Sequence, residues 1–296
     1  AGSGIDSTFV DGGGNNRVFD FSIGGTSLII EDLTVQNGVG EQIGGGFKIE
    51  TTDANQTKII VNRCHFLNNQ TVYLGGGLGD IKGGGAIYIH SFNSNIDTLE
   101  INDCIFTNNY AVAESDYYTA IGFGGAINSY TGVHLAINNS TFFGNIAGSQ
   151  YNSIYMTMGE SITVSNSILY DETPVLNGEG SIQVSFSNIN GGWEGEGNID
   201  SDPLFCDTLS YKYYATSPVV GTGENGVNMG AGGIGCDVPQ AFEWVSSALD
   251  TINITKTNLT DTYTAQWTES KDVYGDSIDY LISVGVGQFP AEMINK

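Results

Sequence analysis

The chain has 296 residues, and its 33 Asp and Glu residues against nine Lys and Arg give a formal net charge of −24. Phosphate groups bind to clustered Lys and Arg, so this charge excludes nucleic acid as a partner, and no apolar run approaches the roughly 18 residues of a membrane span. Glycine, at 42 residues, is about twice as frequent as usual and shows no Gly-X-Y period, which favours an all-β chain with many tight turns over collagen.

Six segments share one sequence template, with an apolar position, a small position three residues later and a large apolar position two residues after that. Val61, Cys64 and Phe66 occupy these positions in one segment. The last two point the same way from one strand, and the Asn or Asp between the first two predicts a corner, because Asn tolerates the left-handed backbone conformation. The six segments lie at 30–38, 61–69, 101–109, 137–145, 164–171 and 184–192.

A second pattern precedes the template. Glycine-rich segments lie at 44–50, 83–89 and 124–130. The pattern continues without the glycines at 153–159. Glycine repeated at one corner indicates that neighbouring backbones approach too closely there for a Cβ atom.

The spacing between successive templates is uneven, at 31, 40, 36, 27 and 20 residues. Propeller blades and helical repeats keep a nearly fixed length, whereas a β-helix tolerates loops of any length at its corners. We therefore predict a right-handed parallel β-helix over residues 1–240. Identical residues should stack from coil to coil, and the stacks we expect are Phe66–Phe106–Phe142, Asn68–Asn108 and Asn62–Asn102–Asn138.

The motifs LTVQNG, GGGFKI, CHFLNN, GGGAIYI, CIFTNN and STFFGN together resemble the polymorphic outer-membrane protein repeats of bacterial β-helical surface proteins. The later GNIDSDPLFCD and MGAGGIGC resemble the closing segment of bacterial β-helix surface proteins of the choice-of-anchor type. The resemblance covers roughly residues 10–237. It implies a secreted or cell-surface location and implies little about activity, because the same scaffold serves many functions.

The pattern changes after about Phe242. Residues 241–296 alternate polar and apolar side chains and resemble the first strands of a fibronectin type III or Ig-like β-sandwich, with Trp267 as its core tryptophan. The turn DVYGDSID in this segment offers Asp272, Asp276 and Asp279, whose oxygens would suit Ca²⁺, although an ordinary polar turn is the alternative. We expect no other cofactor.

The four cysteines form two candidate pairs. The resemblance places a disulfide between Cys206 and Cys236, around the closing segment. Cys64 and Cys104 occupy the same inward column on adjacent coils, at a Cα separation of about 5 Å that a disulfide permits. Two buried thiols are the alternative for that pair.

Catalytic signatures of β-helix enzymes are missing from the sequence. No Arg lies among clustered Asp residues, as in pectate lyases, and the NTD, DD, GHG and RIK signatures of polygalacturonases are absent. The three histidines, His65, His90 and His134, are far apart in sequence, and we expect each to be solvated.

Two long segments, 70–82 and 110–123, both join a template to a glycine corner, so they should lie side by side. Aromatic rings stack on sugars and carboxylates accept sugar hydroxyl groups, which makes the pair a candidate glycan site. A solvated pair of loops is the alternative, and a carboxylate pair could also hydrolyse a glycosidic bond. The candidate side chains are Tyr73, Asp80, Tyr110, Glu114, Asp116, Tyr117 and Tyr118.

The leading hypothesis is a non-enzymatic structural or adhesive surface protein that binds carbohydrate or another surface ligand. A polysaccharide-active hydrolase or lyase is the alternative. No cap is evident before Ile5 and Phe9. Since open strand edges template further pairing, we expect that end to be covered either by upstream coils or by another subunit, as in a homo-oligomer or filament.

Overall fold

A computed structural model describes residues 4–52, 55–72, 83–92, 96–111, 122–148, 153–156, 158, 160–172, 175–207 and 209–236. Contacts divide the chain into two units, Ala1–Ile234 and Gly235–Lys296. The structure describes nothing of the second unit beyond Cys236, so the predicted β-sandwich module at 241–296 lies outside the described residues.

The described part of the chain is all-β, with one short 3-10 helix at Glu224–Gly226 and no α-helix. No helix in this part is long and apolar enough to cross a membrane. The strands are β1 Phe9–Asp11, β2 Phe19–Ile23, β3 Ser27–Gln36, β4 Val39–Glu41, β5 Phe47–Thr51, β6 Lys58–Leu67, β7 Gln70–Val72, β8 Ile87–Ser91, β9 Asp97–Asn102, β10 Ile105–Thr107, β11 Tyr110–Ala111, β12 Ile127–Ser129, β13 Val133–Asn138, β14 Thr141–Phe143, β15 Ile146–Ala147, β16 Ile154–Met156, β17 Ser161–Ser165, β18 Ile168–Leu169, β19 Leu176–Gly178, β20 Ser181–Ser185 and β21 Asn188–Ile189.

These strands form three sheets in which every strand pairing is parallel. The first sheet has 11 strands, the second has six in the order β19-β16-β12-β8-β5-β2, and the third has four in the order β15-β11-β7-β4. The chain passes repeatedly from the second sheet to the first and then to the third. Each pass from the second sheet onward is called a repeat below.

The first sheet bends where the sequence predicts a corner. β3 and β6 run through the bend as ten-residue strands, with Asp32 at φ 61° and Arg63 at φ 47° in their middle. In the next repeats the residue at this position separates two strands, as at Asp103 (φ 53°) and Asn139 (φ 48°). The left-handed conformation is least costly for Gly, Asn and Asp, which explains the Asp and Asn residues of this column. Arg63 and Phe186 adopt the same conformation, with φ of 47° in each case, at a higher cost.

The alignment of the six template segments is confirmed residue by residue. Val61 pairs with Ile30 and Ile101, and the same column continues through Ile137, Val164 and Val184. These residues are buried in one continuous core, to which the second sheet contributes Ile49, Ile87 and Ile127.

The predicted aromatic stack is also confirmed. Phe66, Phe106 and Phe142 are fully buried, with ring centroids 4.7 Å and 4.6 Å apart and ring planes within 4° of parallel. Phe47 of the second sheet meets Phe66 edge-on at 4.9 Å. The stack therefore joins two sheets across the core.

The glycine corner brings backbones into close contact, as predicted. A Cβ atom on Gly85 would lie 2.3 Å from the carbonyl oxygen of Gly125 and 2.6 Å from the backbone nitrogen of Tyr110. Real Cβ atoms do not approach backbone so closely, so the repeat requires glycine at this position.

A buried asparagine ladder crosses the repeats one residue later than the predicted Asn68–Asn108 stack. Asn69 Nδ2 donates to Asn109 Oδ1 at 3.0 Å, and Asn109 Nδ2 donates to Asn145 Oδ1 at 2.8 Å. Asn68 and Asn108 instead adopt left-handed corner conformations, with φ of 55° and 52°. The outer column is confirmed at the bond from Asn102 Nδ2 to Asn62 Oδ1, 3.0 Å long.

The predicted disulfide between Cys64 and Cys104 is wrong, since both residues are buried free thiols. Each sulfur points to the carbonyl oxygen two residues earlier, at 3.3 Å from Asn62 and 3.2 Å from Asn102. Burial raises the pKa of the Cys104 thiol.

Serines continue this column with the same hydrogen bonds. Ser140 Oγ donates to the Asn138 carbonyl at 2.9 Å and accepts the backbone N–H of Cys104 at 3.1 Å. Ser167 repeats the pattern one strand further on. The column therefore selects a small side chain that can both donate and accept, and the two thiols replace hydroxyl groups in it.

The disulfide between Cys206 and Cys236 is confirmed. The segment that precedes Cys236 packs beside the first sheet, and Ile199, before Cys206, pairs with Asn188 of the last repeat. Tyr213, Val219 and Met229 form a second buried core with Ile168, a residue on the outer face of that sheet.

The end of the last repeat is covered by a shorter loop. Trp193 is partly buried against the main core, and the loop is held by hydrogen bonds from Asn198 Nδ2 to the carbonyls of Val184 at 2.9 Å and Trp193 at 3.2 Å. One aromatic ring in a short loop thus covers this end.

Candidate functional site

The two long segments lie side by side at both ends, as the sequence predicts. β7 and β11 are neighbours in the third sheet, with Tyr110 opposite Gln70, and the other ends meet where the backbone N–H of Gly84 donates to the Phe123 carbonyl at 2.9 Å. Tyr110 is 36% exposed. The remaining predicted ligand-binding side chains, Tyr73, Asp80, Glu114, Asp116, Tyr117 and Tyr118, lie outside the described residues.

Next to these ends, the outer face of the second sheet carries a group of aromatic side chains that the sequence analysis missed. Ile87, Ile127 and Ile154 face the core, so the residues that follow them face outward. We call the group the aromatic strip, and it consists of Tyr88, His90, Phe92, Phe123, Tyr130 and Tyr155.

The rings of the aromatic strip contact one another in two sets. Phe123 stacks on Tyr155 at a centroid distance of 4.4 Å, with ring planes 18° apart. His90 lies 3.8 Å from Phe92 and 4.9 Å from Tyr130. Phe92 is 61% exposed, whereas Tyr88 is buried, and its burial raises the pKa of the Tyr88 phenol.

Asn128 lies between the two sets. It is opposite Tyr88 on one side and Tyr155 on the other, and it is fully buried. Within the described part of the chain, neither its Nδ2 nor its Oδ1 has a hydrogen-bond partner. Tyr88, Asn128 and Tyr155 each follow a core-facing isoleucine at the same place in three successive repeats, and this column was the signal in the sequence that could have identified this face.

The charged groups beside the aromatic strip are acidic or already paired. Lys48 is opposite Tyr88 in the second sheet, and its Nζ lies 2.9 Å from Glu50 and 3.4 Å from Asp20. Asp20 is also paired with Arg17 at 2.8 Å, so two cations and two carboxylates balance in this group.

The expectation that His65 is solvated is wrong. His65 faces outward from the first sheet but is 7% exposed, and its Nε2 lies 2.7 Å from Thr107 Oγ1. Burial lowers the pKa of His65 to about 4, because the charged imidazolium would lose its hydration. His90 belongs to the aromatic strip, and His134 Nδ1 lies 2.6 Å from Ser161 Oγ.

No group of three or more His, Cys, Asp or Glu side chains that could hold a metal ion is found among the residues that the structure describes. The predicted calcium ligands Asp272, Asp276 and Asp279 lie outside that part of the chain. They stay a prediction.

Comparisons with known proteins do not assign a family. The chain matches no protein-family model, and no curated protein is significantly similar to it. The functional argument therefore depends on the chain's own residues.

Proposed function

We propose that this chain is a right-handed parallel β-helix that acts as a rigid, non-enzymatic spacer on a secreted or cell-surface protein and presents its side loops to ligands. The observation that carries the proposal is the unbroken parallel register of the first sheet, from β3 through six repeats to β20 and β21. Right-handed crossovers between parallel strands are favoured in about 98% of known cases, which supports the handedness.

Rigidity is supported by the way that each repeat is held to the next. The core aromatic stack, the asparagine ladder and the Cys–Ser column all run across several repeats, so bending would disturb three sets of contacts at once. Repeats that are stacked and held to their neighbours in this way keep fixed positions relative to one another. This is the property that a spacer needs.

A surface location is supported by two features of the chain. The Cys206–Cys236 disulfide is of the kind that persists in oxidising environments. The motifs that resemble bacterial β-helix surface proteins point in the same direction. The net charge of −24 would keep such a protein soluble and apart from anionic surfaces.

Two measurements test the spacer role. Protease treatment of intact cells of the source should release fragments of this protein, and incubation with soluble polysaccharides should release no reducing ends. Reducing ends above the level of a heat-denatured control would overturn the non-enzymatic proposal and favour the hydrolase alternative. Protection from the protease on intact but not on lysed cells would overturn the surface location.

Self-association through the first repeat is part of the same proposal. β2 pairs on one side with β5, and the side chains of Phe19, Phe21 and Leu28 are partly buried at this end of the core. Ile29 is 56% exposed there. Light scattering over a dilution series should show a concentration-dependent mass, and a constant monomer mass up to millimolar concentration would contradict it.

A further inference from the structure

We propose that Asn177 is a site of spontaneous deamidation, at which its carboxamide is converted to a carboxylate through a cyclic imide formed with the backbone nitrogen of Gly178. A modification of this kind is independent of the spacer role, because it needs neither a ligand nor an enzyme. It would occur in β19, the last strand of the second sheet.

The dipeptide Asn-Gly occurs four times in the chain, at Asn37, Asn177, Asn190 and Asn225. Asparagine is a thermolabile residue, and a glycine that follows it has no Cβ atom to hinder the approach of its nitrogen to the carboxamide. The sequence alone therefore makes the four asparagines equivalent candidates. Their hydrogen bonds in the folded chain distinguish them.

The Gly178 nitrogen already lies against the Asn177 carboxamide. Its N–H donates to Asn177 Oδ1 at 2.7 Å. Because Cγ is one C=O bond of about 1.23 Å from Oδ1, the nitrogen is close to the separation of about 3–3.5 Å from which bond formation proceeds. The hydrogen bond thus holds the side chain over the peptide with which a five-membered ring would close.

The position of β19 leaves this nitrogen outside the strand ladder. Among the described residues β19 pairs with β16 alone, and the Glu179 N–H donates to the Met156 carbonyl at 3.2 Å. Since the N–H groups of neighbouring residues point to opposite sides of a strand, that of Gly178 points away from β16. Asn177 and Gly178 are both partly exposed, so water reaches the pair.

In the other three dipeptides the glycine N–H donates to a different residue. Ring closure there would first require this hydrogen bond to break and the nitrogen to turn toward its own asparagine. The donors and acceptors are Gly38 with Asn69 Oδ1 at 3.0 Å, Gly191 with Asp200 Oδ1 at 3.3 Å and Gly226 with the Gly223 carbonyl at 3.0 Å.

Two of these three asparagines are also held by their side chains. Asn37 Nδ2 donates to Asp11 Oδ2 at 3.0 Å. Asn190 Nδ2 donates to the Asp171 carbonyl at 2.8 Å. Asn177 is therefore the Asn-Gly asparagine whose contacts favour ring closure instead of opposing it.

The reaction consumes only water. The Gly178 nitrogen gives its proton to solvent and bonds to Cγ of Asn177, while the bond from Cγ to Nδ2 breaks and Nδ2 leaves as ammonia after taking up one proton. Water then reopens the imide. Cleavage of the bond from nitrogen to Cγ gives aspartate, and cleavage of the bond from nitrogen to the backbone carbon gives isoaspartate. Either product adds one negative charge.

The isoaspartate product would lengthen the main chain of β19 by one methylene group. The pairing that follows Asn177, including the bond from Glu179 to Met156, would then lose its register. Because β19 ends the second sheet, the change would loosen one pairing and leave β12, β8 and β5 in place.

Peptide mapping by mass spectrometry of native protein aged at pH 8 and 37 °C tests the proposal. We expect the peptide with Asn177 to contain at least tenfold more aspartate and isoaspartate than the peptides with Asn37, Asn190 and Asn225. In protein aged in urea the four peptides should convert to similar extents, because unfolding removes the hydrogen bonds that distinguish them.

Ion-exchange chromatography of the intact protein gives a second readout, since each conversion adds a negative charge. Asn177→Gln should lose most of the acidic peak that grows during ageing, because its longer side chain would have to close a six-membered ring. Asn225→Gln, at an exposed Asn-Gly, is the matched control and should keep the peak. Thermal melts before ageing check that both variants are folded.

Three results would overturn the proposal. The first is equal conversion of the four asparagines in the native protein. The second is the same excess at Asn177 in urea, which would assign the preference to the sequence and not to the fold. The third is an acidic peak that persists in Asn177→Gln or disappears in Asn225→Gln.

Discussion

Asp171 accepts two hydrogen bonds from Asn145, one from the backbone N–H at 2.8 Å and one from Nδ2 at 3.0 Å. It is the last member of the buried asparagine ladder and also accepts the hydroxyl of Ser153. Asn109 and Asn145 each accept a hydrogen bond from the asparagine before them and donate one to the next residue. Asp171, at the end of the ladder, needs only to accept. A carboxylate meets that requirement, at the cost of a buried charge.

The burial of Asp171 gives a first prediction about pH. Burial raises the pKa of Asp171 from 3.8 to about 6 in the folded chain. Between these two pH values the unfolded chain has lost the proton of Asp171 and the folded chain keeps it, so the contribution of Asp171 to the free energy of unfolding should fall as pH rises through this window. The lowered pKa of His65 gives a slope of the opposite sign in the same window, so the Asp171 slope is the difference between the unmodified chain and a variant at this position. Asp171→Asn should remove this slope, worth up to about 3 kcal/mol, because an amide does not ionise. The amide can still donate to Ser153 and accept from Asn145.

Urea unfolding from pH 3.5 to pH 7.5 measures this slope for both proteins. Asp11→Asn is a matched control, because hydrogen bonds from Gly13, Gln36 and Asn37 lower the pKa of Asp11. Its contribution to stability is therefore lost only as pH falls below the window. Parallel profiles for Asp171→Asn and the unmodified chain between pH 4 and pH 6 would contradict the prediction.

The second prediction concerns the aromatic stack. Phe106→Ala should lower the free energy of unfolding by about 3–5 kcal/mol, because it leaves a cavity between Phe66 and Phe142. Phe92→Ala, at a 61% exposed position, should change it by less than about 0.5 kcal/mol. Denaturant melts of the two variants compare them directly. Similar losses in the free energy of unfolding would show that Phe106 contributes no more to stability than an exposed residue does.

The third prediction counts thiols. In guanidinium without reductant, two thiols per chain should react with Ellman's reagent, since Cys64 and Cys104 are free and Cys206 and Cys236 are joined. After reduction the count should be four. In the native protein the two buried thiols should react slowly. A count near zero before reduction would mean that Cys64 and Cys104 are joined after all.

The fourth prediction concerns the Cys206–Cys236 bond. Reduction should speed hydrogen exchange in the segment around Tyr213, Val219 and Met229, because that segment packs on the outer face of the first sheet through a small core. Amides of β6 and β10 should exchange as before, since the main core does not depend on the bond. Exchange that rises equally in both regions would show that the disulfide supports the whole fold.

The fifth prediction concerns the glycine corner. Gly85→Ala should destabilise the chain severely or prevent folding, because the new Cβ atom would lie 2.3 Å from the Gly125 carbonyl oxygen. Gly13→Ala is the control: its Cβ atom would meet nothing within 4 Å, and its φ of +65° should cost only about 1–2 kcal/mol. Soluble yield and melting temperature compare the two, and equal behaviour would contradict the close approach at Gly85.

The sequence by itself determined the features that repeat. The parallel register, the column from Ile30 to Val184 and the phenylalanine stack all follow from side chains that recur at the same place in each repeat. Most of the left-handed corners follow from the Asn and Asp residues found there, and Arg63 and Phe186 are exceptions. Recurrence makes these features visible because a parallel repeat places equivalent residues directly on top of one another.

The tertiary structure decided whatever depends on a single residue or on a segment that does not repeat. His65 is buried although its position in the strand faces outward. Cys64 and Cys104 remain free thiols although they occupy the same column on adjacent strands. The segment before Cys236 covers a side of the first sheet, and the aromatic strip arises where unlike residues of three repeats meet. The alternation of residues in a strand predicts which way a side chain points. The residues that cover that side chain belong to distant parts of the chain, so they cannot be predicted from the strand alone.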